Sequence, residues 1–238
     1  MHRSSLVSTF AIVGLLFTAA RSSAQAPAAA PAKVPAPTKA PALENAYVRV
    51  ANSLEDVGHK SPPHGHEFAK ISIFLTPGVQ TLVTVADNSQ DVRKVKPGDV
   101  IYDGPAIQHI SINASNTPLY IIQVEFRKKA DGTVLTPDKA DPLVAAPTFF
   151  SVIADNPQVR VLRLRIPPGA RTPQYRHGLK TATVLLTAQQ ARVTAGGTST
   201  DVTRPEHDAF WTDAPVAQQI ENTGRDPFEA VVVELKMK

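Results

Sequence analysis

The stretch Gly58–Glu67, which reads GHKSPPHGHE, carries the pattern from which the rest of the chain is interpreted. Its two histidines, His64 and His66, are two residues apart and follow a pair of prolines. On a β-strand, residues two apart point to the same face, so the two imidazoles are expected side by side. Imidazoles brought together in this way can bind a metal ion, and His109 is a candidate third ligand further along the chain.

The residues around this stretch predict an all-β domain over 43–128. Short runs rich in β-branched residues alternate with turn signals such as TPG at 76–78 and KPGD at 96–99, and no helical period is sustained. Many short strands at regular spacing are typical of an antiparallel sandwich or barrel. The runs are Tyr47–Val50, Ile71–Leu75, Thr81–Val85, Val100–Tyr102, His109–Ile112 and Leu119–Phe126.

The same plan recurs in the second half of the chain. The motif Asn-x-x-Val-Arg-Val at 45–50 returns at 156–161, a shift of 111 residues, and near the end the shift is 109, from Asn113 to Asn222. Agreement at many positions indicates a tandem duplication. We therefore expect a second domain over 149–238, joined to the first by a connector over 129–148 that contains several Pro and Gly turn signals.

The first copy resembles the cupin family. The resemblance rests on Gly58-x5-His64-x-His66, and on Pro97-Gly98-Asp99 followed by His109 and Asn113; it covers residues 45–127 and, more weakly, 156–238. It implies a small jelly-roll barrel for each copy, and therefore an all-β fold of two tandem cupin barrels, a bicupin. It also implies that His64, His66 and His109 bind a divalent transition metal such as Fe, Zn, Ni, Mn or Cu.

One position departs from the family's pattern. The family has a glutamate ligand three or four residues after the second histidine, where this chain has Lys70. By strand alternation Lys70 shares the face of His64 and His66, whereas Glu67 points the other way. A cation thus stands where a carboxylate would neutralise part of the metal's charge.

Three interpretations of this site remain open. Three neutral imidazoles are sufficient to hold a metal and leave positions for substrate, with Lys70 pairing with an anion or losing its proton on burial. Alternatively, a β-bulge turns Glu67 inward as a fourth ligand. In the third interpretation the histidines line a metal-free pocket in which Lys70 recognises a carboxylate.

The second copy lacks most of these residues. At the shifted positions His64 becomes Tyr175, His66 becomes His177, Lys70 becomes Thr181 and His109 becomes Gln218. This set does not make a credible transition-metal site, so the second barrel is expected to be structural or to hold a polar pocket. Glu125 and Glu234, near the ends of the last strand of each copy, are interpreted as edge charges that discourage aggregation.

The N-terminal residues predict an exported protein. A basic start precedes the apolar run Leu6–Ala20 and the small-residue segment Arg21–Ala26, so residues 1–24 are interpreted as a signal peptide, with an uncleaved membrane anchor as the alternative. Residues 25–42, almost all Pro, Ala and Lys, are interpreted as an extended linker. The expected location is the periplasm or the extracellular space, without stable membrane insertion after processing.

Composition excludes several classes of function. The 238 residues contain no cysteine, so disulfides are impossible and any metal ligands must be nitrogen or oxygen atoms. The net charge is only +4, and no dense Lys/Arg block is present, so binding to nucleic acid is not expected.

Two functions from different classes follow from these residues. As an enzyme, the protein would be a metal-dependent oxygenase or isomerase acting on a small oxygenated or anionic molecule, with Lys70 or Tyr102 orienting it. As a binding module, it would capture a carboxylate or sugar in the cell envelope without turnover. In either case the expected partner is a small molecule, and a homodimer is compatible with the two-barrel plan.

Overall fold

The computed structural model describes residues 43–129, 131, 133–213 and 217–237. The predicted signal peptide (1–24) and linker (25–42) lie outside the described residues. Within the described part of the chain, no helix is both long enough and apolar enough to span a membrane. The described residues are dominated by β-strands, as the alternation of β-branched runs and turn signals predicts.

The first half forms two antiparallel sheets. Its strands are β1 (Leu43–Glu44), β2 (Val48–Glu55), β3 (His64–His66), β4 (Lys70–Phe74), β5 (Gly78–Thr84), β6 (Gln90–Val95), β7 (Val100–Asp103), β8 (Ala106–Asn113) and β9 (Leu119–Phe126). One sheet has the order β1-β2-β9-β4-β7 and the other the order β3-β8-β5-β6. Successive segments of the chain thus contribute strands to one or the other of the two sheets that form the barrel.

The second half repeats this arrangement after the short helix α1 (Pro142–Ala145). Its strands are β10 (Phe150–Asp155), β11 (Val159–Ile166), β12 (Thr181–Leu185), β13 (Gln189–Ala195), β14 (Thr198–Arg204), β15 (Ala209–Thr212), β16 (Gln218–Asn222) and β17 (Phe228–Leu235). The sheets have the orders β10-β11-β17-β12-β15 and β14-β13-β16.

Strand pairing confirms the correspondence between the two copies. His64 pairs with His109 in the first barrel, and Tyr175 pairs with Gln218 in the second, at the positions given by the shifts of 111 and 109 residues. Lys60 and Ile112 form a bridge whose counterpart joins Arg171 to Glu221. The predicted all-β fold of two tandem jelly-roll barrels is therefore confirmed.

The two barrels share a hydrophobic core built from alternate residues of their larger sheets. In β4, Ile71 and Ile73 belong to this core, whereas Lys70, Ser72 and Phe74 belong to the other face. Every residue of β4 is buried, because one face of the strand points into the first barrel and the other packs against the second barrel. The fully buried members include Val48, Val50, Ile122, Val124, Val159, Val161, Val184, Val231, Val233 and Leu235.

The interiors of the two barrels differ in chemistry. In the first barrel, an apolar cluster that includes Phe74, Leu119 and Ile121 fills one end. Polar side chains, described below, line the remainder. In the second barrel, apolar residues extend further through the interior, where Leu164, Phe228 and Val232 are all buried. The first barrel therefore keeps the interior better suited to charged or metal-ligating groups.

The connector between the barrels is tied to the second barrel by a buried ion pair. Asp141 accepts a hydrogen bond from the backbone amide of Leu143 at the start of α1. Its other carboxylate oxygen accepts one from Nη2 of Arg160 at 2.7 Å, and both side chains are at most 3% exposed. The connector thus closes over β11 instead of crossing as an open loop.

Candidate metal centre

Strands β3 and β8 bring the three predicted ligands together. His64 pairs directly with His109, and His66 lies two residues further along β3, beyond a shift in register. One ligand nitrogen from each ring lies within 4.8 Å of the others, and no other metal-compatible group of His, Cys, Asp or Glu side chains is found among the described residues. His109, at 6% exposed, is the most buried of the three.

The hydrogen bonds of His64 leave one ring nitrogen for a metal. Nδ1 lies 3.0 Å from the carbonyl oxygen of Pro62, which can only accept, so this nitrogen carries the proton. The lone pair of the ring is then on Nε2. Metal-binding histidines commonly donate their other ring N–H to a carbonyl group in this way, which fixes the tautomer and the ring orientation.

His66 contacts the lysine that replaces the family's glutamate. The amine of Lys70 lies 3.1 Å from Nε2 of His66. Burial, together with the positive charge of Lys70, lowers the pKa of His66 to about 4, so its imidazole is neutral near pH 7. Burial also lowers the pKa of Lys70, whereas Asp103 and Glu125 act in the opposite direction.

Lys70 reaches the histidines from the opposite wall of the barrel. Strand alternation in the sequence predicts His64, His66 and Lys70 on one face of a single strand, but the structure divides them between β3 and β4, which belong to different sheets. Residues 67–69 turn the chain from one sheet to the other. The predicted neighbourhood of Lys70 and His66 is therefore correct, but its reason is the facing of two sheets and not strand parity.

The alternative with Glu67 as a ligand finds no support in this arrangement. A register shift does occur here, but it lies between His64 and His66. Glu67 is exposed and is not a member of the three-histidine cluster. The cluster therefore consists of three imidazole nitrogen donors without a carboxylate.

The structure places Tyr102 away from this site, although the sequence predicts that Tyr102 orients a ligand. On β7, Tyr102 pairs with Ile71 of the shared core, and its hydroxyl donates a hydrogen bond to Oε1 of Gln158 in the second barrel. Its neighbour Asp103 pairs with Lys70 and lines the interior instead. Strand alternation explains the difference, because one residue along β7 separates the two faces.

Three interior residues carry no signal that marks them in the sequence. Arg93 and Asp103 form a two-pronged ion pair, with nitrogen–oxygen distances of 2.7 and 3.2 Å. They line a cavity of about 310 Å³ together with Lys70, His66 and His109. Arg93 lies on a strand with mixed exposure, so neither hydrophobic pattern nor motif marked it.

Glu55 is the third of these residues and lies deeper in the barrel. It is 5% exposed and lines a second cavity of about 160 Å³, which His64 and Lys70 also line. Its Oε1 accepts hydrogen bonds from Ser111 and Gln80 at 2.9 and 3.2 Å, whereas its Oε2 has no hydrogen-bond partner among the described residues. A buried carboxylate between hydroxyl and amide groups on separate strands gives no signal in sequence.

In the second barrel the equivalent positions form a different arrangement. Nδ1 of His177 lies 2.8 Å from Oε1 of Glu234, and Gln218 donates to the hydroxyl of Tyr175 at 3.1 Å. Glu234 is completely buried and belongs to β17, a central strand of its sheet, so its interpretation as an edge charge is wrong. Glu125 likewise lies on the central strand β9.

The three histidines of the first barrel have the chemistry to hold a transition metal. Neutral imidazole nitrogens suit Zn, Cu, Fe and Ni. Nitrogens that share one ion at about 2.1 Å are roughly 3–4 Å apart, so the rings need only approach each other slightly from their present separation. The amine of Lys70 contacts one of the lone pairs and must move aside for the ion.

Comparison with known proteins identifies the fold. No protein-family model matches the sequence, and no curated protein matches it. Among solved structures, AerE from Microcystis aeruginosa matches with a TM-score of 0.58 and 14% identity, covering 85% of this chain and 97% of that one.

Two further solved structures are enzymes. Bacillus subtilis oxalate decarboxylase, described with Mn(II) centres, matches with a TM-score of 0.56 and 11% identity, over 81% of this chain and 70% of that one. A variant of the salicylate 1,2-dioxygenase from Pseudoaminobacter salicylatoxidans gives 0.53 and 15%, over 79% and 71%. The chain therefore has the cupin fold in its two-barrel, bicupin form. At these identities the similarity shows the fold and not the activity.

Proposed function

We propose that the first barrel binds a divalent transition metal through His64, His66 and His109, together with a small molecule that carries a carboxylate. The observation that carries this proposal is the convergence of three imidazole nitrogens within 4.8 Å at the wall of a cavity that Lys70 also lines. Three protein ligands leave coordination positions for a substrate, which is the usual composition of a catalytic site and not of a structural one.

The charge of the site favours an anionic ligand. Three neutral imidazoles leave the full charge of a divalent ion uncompensated, and Lys70 adds a cation at the position where the family has a glutamate. Asp103 is already paired with Arg93, so its charge is largely engaged. A carboxylate that reaches both the ion and the amine of Lys70 would supply the missing negative charge.

The residues around the cavity divide the work of binding. Lys70 holds the carboxylate, and the Arg93–Asp103 pair links β6 of one sheet to β7 of the other beside it. Glu55 offers a carboxylate oxygen that can accept a hydrogen bond or a proton from a substrate hydroxyl in the deeper cavity. The ion, when bound, would supply Lewis acid chemistry by polarising a substrate oxygen.

The names of two structural neighbours are consistent with this class of substrate. Oxalate decarboxylase and salicylate dioxygenase are both named for small carboxylates, and the former is described with Mn(II) centres. These properties belong to those proteins, and they support the proposal for this chain only as an analogy of fold.

Metal analysis of protein purified without a histidine tag tests the proposal. We expect close to one equivalent of transition metal per chain after reconstitution, and a large loss in His109→Ala. His59→Ala is the matched control, because His59 is exposed and outside the cluster. Less than about a tenth of an equivalent in the reconstituted wild type, or full metal content in His109→Ala, would contradict the proposal.

A second function is favoured by the contact between Lys70 and His66. Because the amine occupies the lone pair that a metal needs, the same pocket can bind a carboxylate without any ion. In that case wild-type protein stripped of metal would bind a small dicarboxylate such as malonate with the same affinity as the metal-reconstituted protein. Lys70→Met would abolish this binding. Under the metal-dependent function, malonate binding would require the ion.

We further propose that the protein is exported, on the basis of the N-terminal sequence. Secretion would place the barrels in the periplasm or outside the cell, with the Pro/Ala-rich segment as a spacer. N-terminal sequencing of the protein recovered from the envelope fraction should begin near Gln25. An intact Met1 in a cytoplasmic fraction would exclude export.

A further inference from the structure

The interior of the second barrel contains a cavity that the metal site does not explain. It has a volume of about 180 Å³ and is lined by both apolar and polar side chains, the latter including His177, Thr181, Thr183, Gln189 and Gln218. A cavity of about 150 Å³ accommodates a benzene ring, so this one can hold a molecule of roughly six to ten non-hydrogen atoms.

One polar side chain that lines this cavity, Gln189, has an oxygen without a hydrogen-bond partner among the described residues. Gln189 is 3% exposed, and its carbonyl oxygen Oε1 is buried without a hydrogen-bond partner among the described residues. A buried acceptor without a donor is destabilising by an amount similar to a lost hydrogen bond. The amide of Gln189 therefore has hydrogen-bonding capacity that the described residues do not use.

The charged groups at the cavity are already paired. Nδ1 of His177 contacts Glu234 at 2.8 Å, and Nη1 of Arg204 contacts Asp208 at 3.2 Å. The hydroxyls of Thr181 and Thr183 and the amides of Gln189 and Gln218 are neutral. This differs from the first barrel, where a buried lysine and three histidines favour an anion.

We propose that the second barrel is a binding site for a small neutral polyhydroxylated molecule, distinct from the metal centre of the first barrel. Several neutral donors and acceptors spread along a partly apolar cavity suit alternating hydroxyl and CH groups. Replacement of the metal ligands by Tyr175 and Gln218 thus changes the ligand class of this barrel and does not merely remove a site. The chain then binds two different classes of small molecule.

Binding of erythritol, a small polyol within this size range, tests the proposal. Erythritol is added stepwise to the whole chain while its NMR signals are recorded. We expect saturable chemical-shift changes confined to residues that line the cavity of the second barrel, such as Val193 and Ile220. His66→Ala should leave these shifts unchanged, because the first barrel is not involved. The measurement on His66→Ala therefore distinguishes ligand binding in the second barrel from the metal-dependent function of the first.

Two substitutions report on the contacts of the ligand. Gln189→Leu removes the amide group that lines the cavity and should weaken erythritol binding about tenfold or more, as loss of a buried hydrogen bond predicts. Thr183→Val keeps the shape of the side chain, is expected to fold normally, and should weaken binding in the same direction. Gln190→Leu is the matched control, because Gln190 is exposed on the other face of β13.

The outcomes decide the proposal in both directions. Localised shifts that both Gln189→Leu and Thr183→Val weaken, and that Gln190→Leu does not, support it. Absence of shifts with the wild type means that the cavity holds only water, and it overturns the proposal. Equal binding by the wild type and Thr183→Val, or equal binding of malonate and erythritol at this cavity, overturns it as well.

Discussion

At the scale of single residues, Lys70 determines the character of the candidate metal site. A buried amine 3.1 Å from a histidine nitrogen opposes a divalent ion both by its charge and by occupying a ligand's lone pair. The same amine is the group best placed to hold an anionic substrate. The balance between metal and ligand at this site therefore depends on one side chain.

Lys70→Glu is expected to increase metal affinity by about tenfold or more, because it replaces a repelled cation with a carboxylate ligand. Lys70→Met, which removes only the repulsion, should give a smaller increase. Competition for Zn²⁺ against a coloured chelator measures both variants.

Lys94→Glu provides the control for this series. It makes the same change of charge at an exposed position of β6, outside the cavity. It should leave the affinity for Zn²⁺ close to that of the wild type. If Lys94→Glu raised the affinity as much as Lys70→Glu, the effect would be one of net charge and not of coordination.

At the scale of strands, the duplication supplies two versions of one cross-strand ion pair. Arg49 faces Glu125 between β2 and β9, and Arg160 faces Glu234 between β11 and β17. The side chains of the first pair are 42% and 26% exposed, whereas those of the second pair are 2% and 0% exposed. The connector makes this difference, since Asp141 covers Arg160.

Arg160→Met is expected to destabilise the protein by about 3–5 kcal/mol, because it leaves two buried carboxylates without their cation. Arg49→Met, the same change in the exposed pair, should cost about 1 kcal/mol or less. Urea unfolding followed by circular dichroism measures both. Equal effects of the two substitutions would show that burial of the second pair contributes nothing to stability.

The buried pair should also make stability sensitive to acid. Burial alone would raise the pKa of Glu234, but hydrogen bonds from His177 and Arg160 lower it below its ordinary value of about 4.5. A carboxylate with a lowered pKa in the folded state contributes stability that is fully present above the ordinary value and is lost as pH falls below it.

Glu234→Gln should therefore show a smaller fall in melting temperature than the wild type when the pH is lowered from about 7 to about 3.5. The variant is expected to be less stable than the wild type at the higher pH, so the comparison uses the change with pH and not the absolute value. Glu125→Gln, at the matched and only partly buried position, should follow the wild type. If the melting temperatures of Glu234→Gln and the wild type fell in parallel with pH, Glu234 would not be the source of the acid sensitivity.

At the scale of the whole molecule, the two barrels depend on each other. Their larger sheets share a core whose members, such as Ile71, Val124, Val161 and Val233, are fully buried. Separation of the barrels would expose this continuous apolar face to water. We therefore regard the pair of barrels as the folding unit.

A fragment of residues 43–128 should accordingly fail to remain a folded monomer. Size-exclusion chromatography and circular dichroism should show aggregation, loss of structure, or pairing of fragments through the exposed sheet. The whole chain, measured under the same conditions, is the reference. A cooperative monomeric fragment would show that the shared core is dispensable for the first barrel.

Much of this protein follows from sequence alone. Alternation of β-branched residues with turn signals determined the all-β fold, and repetition at shifts of 111 and 109 residues determined the two copies, whose strand pairing the structure reproduces. The spacing of His64 and His66, together with the resemblance to the cupin pattern that adds His109, was sufficient to predict their cluster. These features are local or periodic, so the order of residues contains them.

Other features depend on which residues face each other across the barrels. The sequence alone did not predict that Lys70 and His66 lie on opposite sheets. It also did not predict that Tyr102 faces away from the barrel interior while Asp103 faces into it, or that Glu234 is buried beneath the connector. Each of these outcomes depends on sheet packing between segments far apart in the chain, and a shift of one residue along a strand reverses its face. The sequence thus determined the fold and the three histidines, whereas only the tertiary structure decided the charge that surrounds them and the contents of each barrel.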